Sequence, residues 1–186
     1  RQRSNMKTES IVMYVLRLAL TLLAITAVVA AALAGVNSIT KPVIDQLNAE
    51  KTQKAIEAVL PGGFDEELAN FDNQGGLVSK VYKGANGYAL EVLPSGFDNT
   101  ITMMVGVDTE GKVLGISIIS HTETAGLGAV AAAQTSAGEA FRGQFVGQEG
   151  ELAIGDQIDA MSGATITSNA VVTGVNAALN YVANMG

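Results

Sequence analysis

A chain of 186 residues with 48% hydrophobic residues and a mean hydropathy of +0.29 is too apolar for an ordinary soluble domain, yet the excess is confined to residues 11–35. The remainder is long enough to bury one core. No cysteine is present, which excludes disulfides, thiolate metal sites, a cysteine nucleophile and a lipid-anchored cysteine.

Charge is unevenly placed. Arg1, Arg3, Lys7 and Arg17 lie at the amino end, opposed there only by Glu9, whereas beyond Gly35 seven basic residues face seventeen acidic ones. So acidic a remainder argues against nucleic-acid binding, which rests on phosphate neutralisation, and against adhesion to anionic lipid. From Leu18 to Leu33 the chain carries no charge, and Ile11 to Leu16 extends this run. About 20 apolar residues span a bilayer core as a helix, and Arg17 is near enough to the end to snorkel. The basic flank predicts residues 1–10 in the cytoplasm, a membrane helix over 11–35 and everything from Asn37 outside, in the periplasm or its equivalent. Ala32-Leu33-Ala34 also resembles a signal-peptidase site, but the apolar run exceeds the usual 7–15 residues of a signal peptide. Both readings export the domain. Met6 is a candidate native start, preceded by Arg1 to Asn5.

Residues 36–60 read as a helical connector. Lys41-Pro42 opens the pattern, Val43, Ile44, Leu47, Ala55, Ile56, Val59 and Leu60 form an apolar stripe, and Pro61-Gly62-Gly63 closes it. A single domain over 61–186 follows. Val78–Lys83 and Tyr88–Leu93 read as strands around Gly84–Gly87, and Ile101–Val107 and Lys112–Ser120 as a hairpin around Asp108-Thr109-Glu110-Gly111. A short helix is permitted between Gly126 and Phe145. A final helix carries Val171, Val172, Val175, Leu179 and Val182 on one face and Asn169, Thr173, Asn176 and Asn180 on the other, with Thr167 or Ser168 as the natural N-cap. Strands and helices do not alternate regularly, so the fold class is α+β.

The most unusual stretch outside the membrane segment is Asp159-Ala160-Met161-Ser162-Gly163-Ala164-Thr165-Ile166-Thr167-Ser168. Gly163 and Ala164 are too small to shield the Thr165 hydroxyl, and a helix start favours an anion through its free N–H groups and dipole. By residue type alone, this is also what any loop and N-cap looks like.

Asp159 to Thr165 resembles the D-x-x-S/T-G-A-T signature of flavinylated domains. These are the FMN-binding subunits of the Rnf-type ferredoxin:NAD oxidoreductase and of the sodium-pumping NADH:quinone reductase. Ser120-His121-Thr122-Glu123-Thr124-Ala125-Gly126-Leu127-Gly128 is similar to the family's H-x-E-T-P-G-L-G loop, with Ala125 where proline is usual. The resemblance implies one covalent FMN on Thr165, attached by a magnesium-dependent flavin transferase that recognises Asp159, Ser162, Gly163 and Ala164. It implies a cofactor-binding set of Ser162, Gly163, Ala164, Thr165, Thr167, Glu123, Thr124, Gly126, Leu127 and Gly128.

No residue is assigned a catalytic role, and no metal site is expected from one histidine and scattered carboxylates. His121 is the lone histidine, more simply structural than a proton relay. Lys80, Lys83 and Lys112 read as solvated strand-edge charges. Arg142 is open between phosphate and an acidic neighbour.

The resemblance is greatest to the G subunit of the Rnf-type complex. It implies a membrane-anchored electron carrier that is not catalytic alone and assembles with other membrane and peripheral subunits. In that family electrons from ferredoxin visit the exterior flavin and return to reduce NAD, coupled to Na+ or H+ translocation. Alternatives are the quinone-reductase counterpart, a solitary flavinylated carrier, and a non-redox anchored module.

Overall fold

The computed structural model describes residues 2–69, 71 and 73–185, without the side chains of 2–10 and 74. Two compact units are present, divided between Ala49 and Glu50, so the second takes in the last eleven residues of the expected connector.

Helix α1 is Gln2–Val59. Its apolar stretch reaches a mean hydropathy of 2.4 and is wholly exposed, a candidate membrane span by length and composition. Thr26 fits that setting, because its hydroxyl donates to the carbonyls of Leu22 and Leu23 at 3.0 Å, satisfying a polar group that lipid cannot. Pro42 lies inside α1 rather than opening a helix. The cost is one missing N–H. The expected apolar stripe divides in two: Val43, Ile44 and Leu47 are exposed, whereas Ala55, Ile56, Val59 and Leu60 are buried.

The second unit is built on an antiparallel meander of five strands in sequence order: β1 Glu66–Leu68, β2 Val78–Gly84, β3 Gly87–Val92, β4 Thr102–Asp108 and β5 Val113–Ser120. The two expected hairpins form, with Gly84 paired to Gly87 and Val107 to Val113. β1 has no apolar alternation, and pairs instead along β2 through Glu66↔Lys83 and Glu67↔Tyr82.

Both sheet faces are covered. On one, Ile56, Val59 and Leu60 pack with Tyr82, Ala89 and Met104. There a Cβ on Gly106 would fall on the carbonyl of Val59, so only glycine lets the end of α1 sit this close. On the other face Val81, Leu90, Met103 and Val105 meet Phe141 and Phe145 of the α2 region and Val171, Val175 and Leu179 of α3. Here α2 is Ser136–Gly143 and α3 is Thr165–Ala183. A 3-10 turn at Gly128–Ala132 precedes α2, so the permitted short helix is two pieces.

α3 buries Val171, Val172, Val175, Leu179 and Val182 and leaves Asn169, Thr173 and Asn180 exposed, as expected of its two faces. Asn176, expected on its polar face, instead clasps the backbone of Leu152, accepting from its N–H and donating to its carbonyl, each at 2.9 Å.

Candidate functional site

α3 starts three residues earlier than side-chain capping suggests. Ala164 occupies the N-cap position and contributes no side-chain bond. Ser168, expected as a cap, lies inside the helix: its hydroxyl donates to the carbonyl of Ala164 at 3.0 Å and accepts from the N–H of Met161 at 3.0 Å. Gly163, at φ +72°, supplies the left-handed residue of the preceding turn, which the Ala164 N–H closes on the Met161 carbonyl at 3.0 Å.

This early start leaves the N–H groups of Thr165, Ile166 and Thr167 without acceptors among the described residues, since Ser168 is the first to bond back, to Ala164 at 2.9 Å. Three unpaired donors at the positive end of a 19-residue helix make an anion-binding position.

The hydroxyls of this segment differ sharply in access. Thr167 is 2% exposed and Ser168 is 0% exposed, and both are hydrogen-bonded. Thr165 is exposed, and its hydroxyl has no hydrogen-bond partner among the described residues.

Thr165 opens onto a cavity of about 290 Å³ lined by Phe97, Glu123, Thr124, Leu127, Gly128 and residues 163–167. That volume is at the lower end of small-molecule sites. Its wall is mostly apolar, with Phe97, Leu127 and Ile166 all exposed.

Glu123 closes the polar side. It is 7% exposed. Its Oε1 accepts from the N–H groups of Phe97 at 2.9 Å and Asp98 at 3.3 Å, and its Oε2 accepts from the Thr167 hydroxyl. A buried carboxylate without a cation must be held by such donors. Gly128 makes the fit possible, because a Cβ there would strike the Thr167 hydroxyl and come within 2.6 Å of Glu123 Oε2.

The cavity therefore gathers Glu123, Thr124, Leu127, Gly128, Gly163, Ala164, Thr165 and Thr167 of the expected set. Gly126, Ser162 and Asp159 line a neighbouring hollow of about 350 Å³ with Ala137, Ala140 and Gln144, and Leu127 borders both. Gln144 pins Asp159 by its backbone, accepting from the N–H at 2.7 Å and donating to the carbonyl at 3.4 Å.

Arg142 Nη1 donates to the carbonyls of Ala131 and Ala133 at 2.7 and 3.0 Å, bracing the 3-10 turn, and Arg142 makes no ion pair among the described residues. His121 does not line the cavity, and its buried Nδ1 has no partner among the described residues. Phe97 and Ile166 escaped the sequence reading. Ile166 stands one residue past the motif that ends at Thr165, and its adjacency to Thr165 was the available signal.

Residues 96–180 match the FMN-binding domain family. The chain is 33% identical over 180 residues to the G subunit of the ion-translocating oxidoreductase complex of Methanosarcina acetivorans, covering 87% of this chain and 91% of that protein. It is 31% identical to the G subunit of the Na(+)-translocating ferredoxin:NAD(+) oxidoreductase complex of Acetobacterium woodii, covering 92% and 93%. A proton-translocating counterpart from Clostridium ljungdahlii is 39% identical over 102 residues, about half of each chain.

Proposed function

Because the chain belongs to the family of G subunits of ion-translocating oxidoreductase complexes, we propose that it carries one FMN as a phosphoester on Thr165. It passes electrons within a membrane complex of ferredoxin:NAD oxidoreductase type, coupled to Na+ or H+ translocation. The observation that carries this reading is the state of the hydroxyls in the 162–168 segment, of which Ser162 is exposed too but lines the second hollow rather than the cavity. Thr165 is exposed and unpartnered at the mouth of an apolar cavity, beside three unpaired helix N–H groups, while Thr167 and Ser168 are buried and engaged.

The residues present fit FMN. The N–H groups of Thr165, Ile166 and Thr167 would face a phosphate on Thr165, where the α3 dipole favours negative charge. Phe97, Leu127 and Ile166 offer apolar surface to a flat ring. The Thr167 hydroxyl donates its hydrogen bond to Glu123, so toward a ligand Thr167 offers its N–H and oxygen lone pairs. FMN, when bound, supplies one- and two-electron chemistry, and the protein supplies position and electrostatics.

The tether suits an exported carrier, because a cofactor lost outside the cell is not recovered. The basic amino end sets the topology, with residues 1–10 in the cytoplasm and the domain outside. A flavin transferase is the maturation partner and reads Asp159, Ser162, Gly163 and Ala164, of which Asp159 and Ser162 face the second hollow.

Intact mass of the purified full chain, made beside an active flavin transferase, tests the proposal. The expected result is the mass of one FMN less one water, and its loss in Thr165→Ala. An unchanged mass in the unmodified chain overturns it. Co-purification with polytopic membrane subunits separates a complex subunit from a solitary carrier.

A further inference from the structure

Gln144 belongs to neither motif, yet its side chain bonds to both backbone groups of Asp159. Its Oε1 accepts from the Asp159 N–H at 2.7 Å, and its Nε2 donates to the Asp159 carbonyl at 3.4 Å. A primary amide carries an acceptor and a donor side by side, so it serves one residue's N–H and C=O as a neighbouring strand would. The amide is delivered from a fixed base. Gln144 is the C-cap of α2 and is flanked in sequence by Phe141 and Phe145, which are 3% and 0% exposed.

The 159–165 segment is thereby held at both ends. Ile158 is wholly buried, and its N–H bonds to the Ala153 carbonyl at 3.3 Å while its carbonyl accepts from Gly155 at 2.9 Å. At the other end Met161 N–H bonds to Ser168 Oγ at 3.0 Å, and the turn at Gly163 leads into α3. The side chains of the held backbone are idle. Asp159 and Ser162 are exposed, and neither the carboxylate nor the hydroxyl has a hydrogen bond or ion pair among the described residues. A carboxylate with no work inside the fold, on backbone that is clasped in place, is arranged for another protein.

We propose that Gln144 is a positioning residue for flavin attachment: it fixes Asp159 so that a flavin transferase meets that carboxylate and the Thr165 hydroxyl in one set geometry. The inference rests on the FMN reading and adds to it a residue outside the motif. Attachment forms a bond from Thr165 Oγ to the flavin phosphorus and breaks the pyrophosphate bond of a flavin dinucleotide. The nucleoside monophosphate leaves, the hydroxyl proton passes to solvent, and no electron is transferred. Gln144 touches none of these atoms and acts through Asp159, by sparing the transferase the ordering of a loose segment.

The experiment loads the full chain with a purified flavin transferase, Mg2+ and flavin adenine dinucleotide, and follows mass gain with time. Gln144→Met keeps the length of the side chain, removes both bonds, and should lower kcat/KM for the chain about tenfold. In an Asp159→Asn background, loaded at raised transferase concentration, the same change should lower it less than about twofold. Asn176→Leu removes a like clasp, on the backbone of Leu152, and should leave loading unchanged. Amide hydrogen exchange on the unloaded chain should show Asp159 deprotected by Gln144→Met and not by Asn176→Leu. Loading of Gln144→Met at the unmodified rate, equal slowing by Asn176→Leu, or an Asp159 amide that exchanges no faster overturns the positioning role. Full tenfold slowing in the Asp159→Asn background overturns its action through Asp159. An unmodified chain that gains no mass sinks the FMN reading itself, an outcome distinct from the others.

Discussion

Thr167 donates its hydroxyl proton to Glu123 Oε2 across 44 residues of sequence, tying the loop after β5 to the first turn of α3. Removing the hydroxyl while keeping the shape, as in Thr167→Val, leaves one oxygen of a buried carboxylate short of a donor. Such a loss costs about 1–3 kcal/mol. Chemical denaturation monitored by circular dichroism should show a lower midpoint with an unchanged slope.

Thr165→Ala should separate attachment from folding. Thr165 is exposed and its side chain makes no hydrogen bond among the described residues, so the change in stability should stay within about 0.5 kcal/mol. Covalent flavin should nonetheless vanish completely. Mass spectrometry and thermal unfolding on the same preparation check both halves.

Gly106→Ala should be far more harmful than its chemistry suggests. The added methyl would meet the Val59 carbonyl, backbone that yields only by shifting the end of α1 from the sheet. Overpacking of this kind costs about 1–3 kcal/mol, occasionally more. Urea titration should register the loss, and Gly111→Ala is no fair control, because Gly111 has φ +86°. Gly143→Ala, with open space at the Cβ position and no positive φ, serves instead.

Alkaline stability should depend on Tyr82. Its phenol is pushed up from 10.0 to about 12, first by burial and then by Glu67 and Glu91. The folded state therefore keeps a proton that the unfolded chain has released. Stability from this group is fully present below pH 10 and is lost as pH rises through about 12. Urea midpoints at about pH 8 and about pH 11 should converge in Tyr82→Phe relative to the unmodified chain.

The strands from Val78 to Ser120 were legible because apolar runs broken by Gly84–Gly87 and Asp108–Gly111 leave few other options. β1 was not, since Glu66-Glu67-Leu68 has no pattern of its own and owes its form to the edge of β2. The start of α3 was misplaced because capping preference looks for a side-chain oxygen before the helix. Ser168 spends its hydroxyl on Met161 and Ala164 from inside the helix. The recognised motifs held most of the cavity, but Phe97 could not be read. A single aromatic in the turn Ser95-Gly96-Phe97-Asp98-Asn99 has no periodicity, and its partner Glu123 lies 26 residues away.

Leu127 borders both hollows, with the Thr165 mouth on one side and Asp159 and Ser162 on the other. It is 43% exposed, a thin partition. On the FMN reading, the surface presented to the flavin transferase and the berth that receives the delivered ring stand back to back, one isobutyl group apart. Loading then needs no long transit, because Thr165 itself opens into the berth beside that partition.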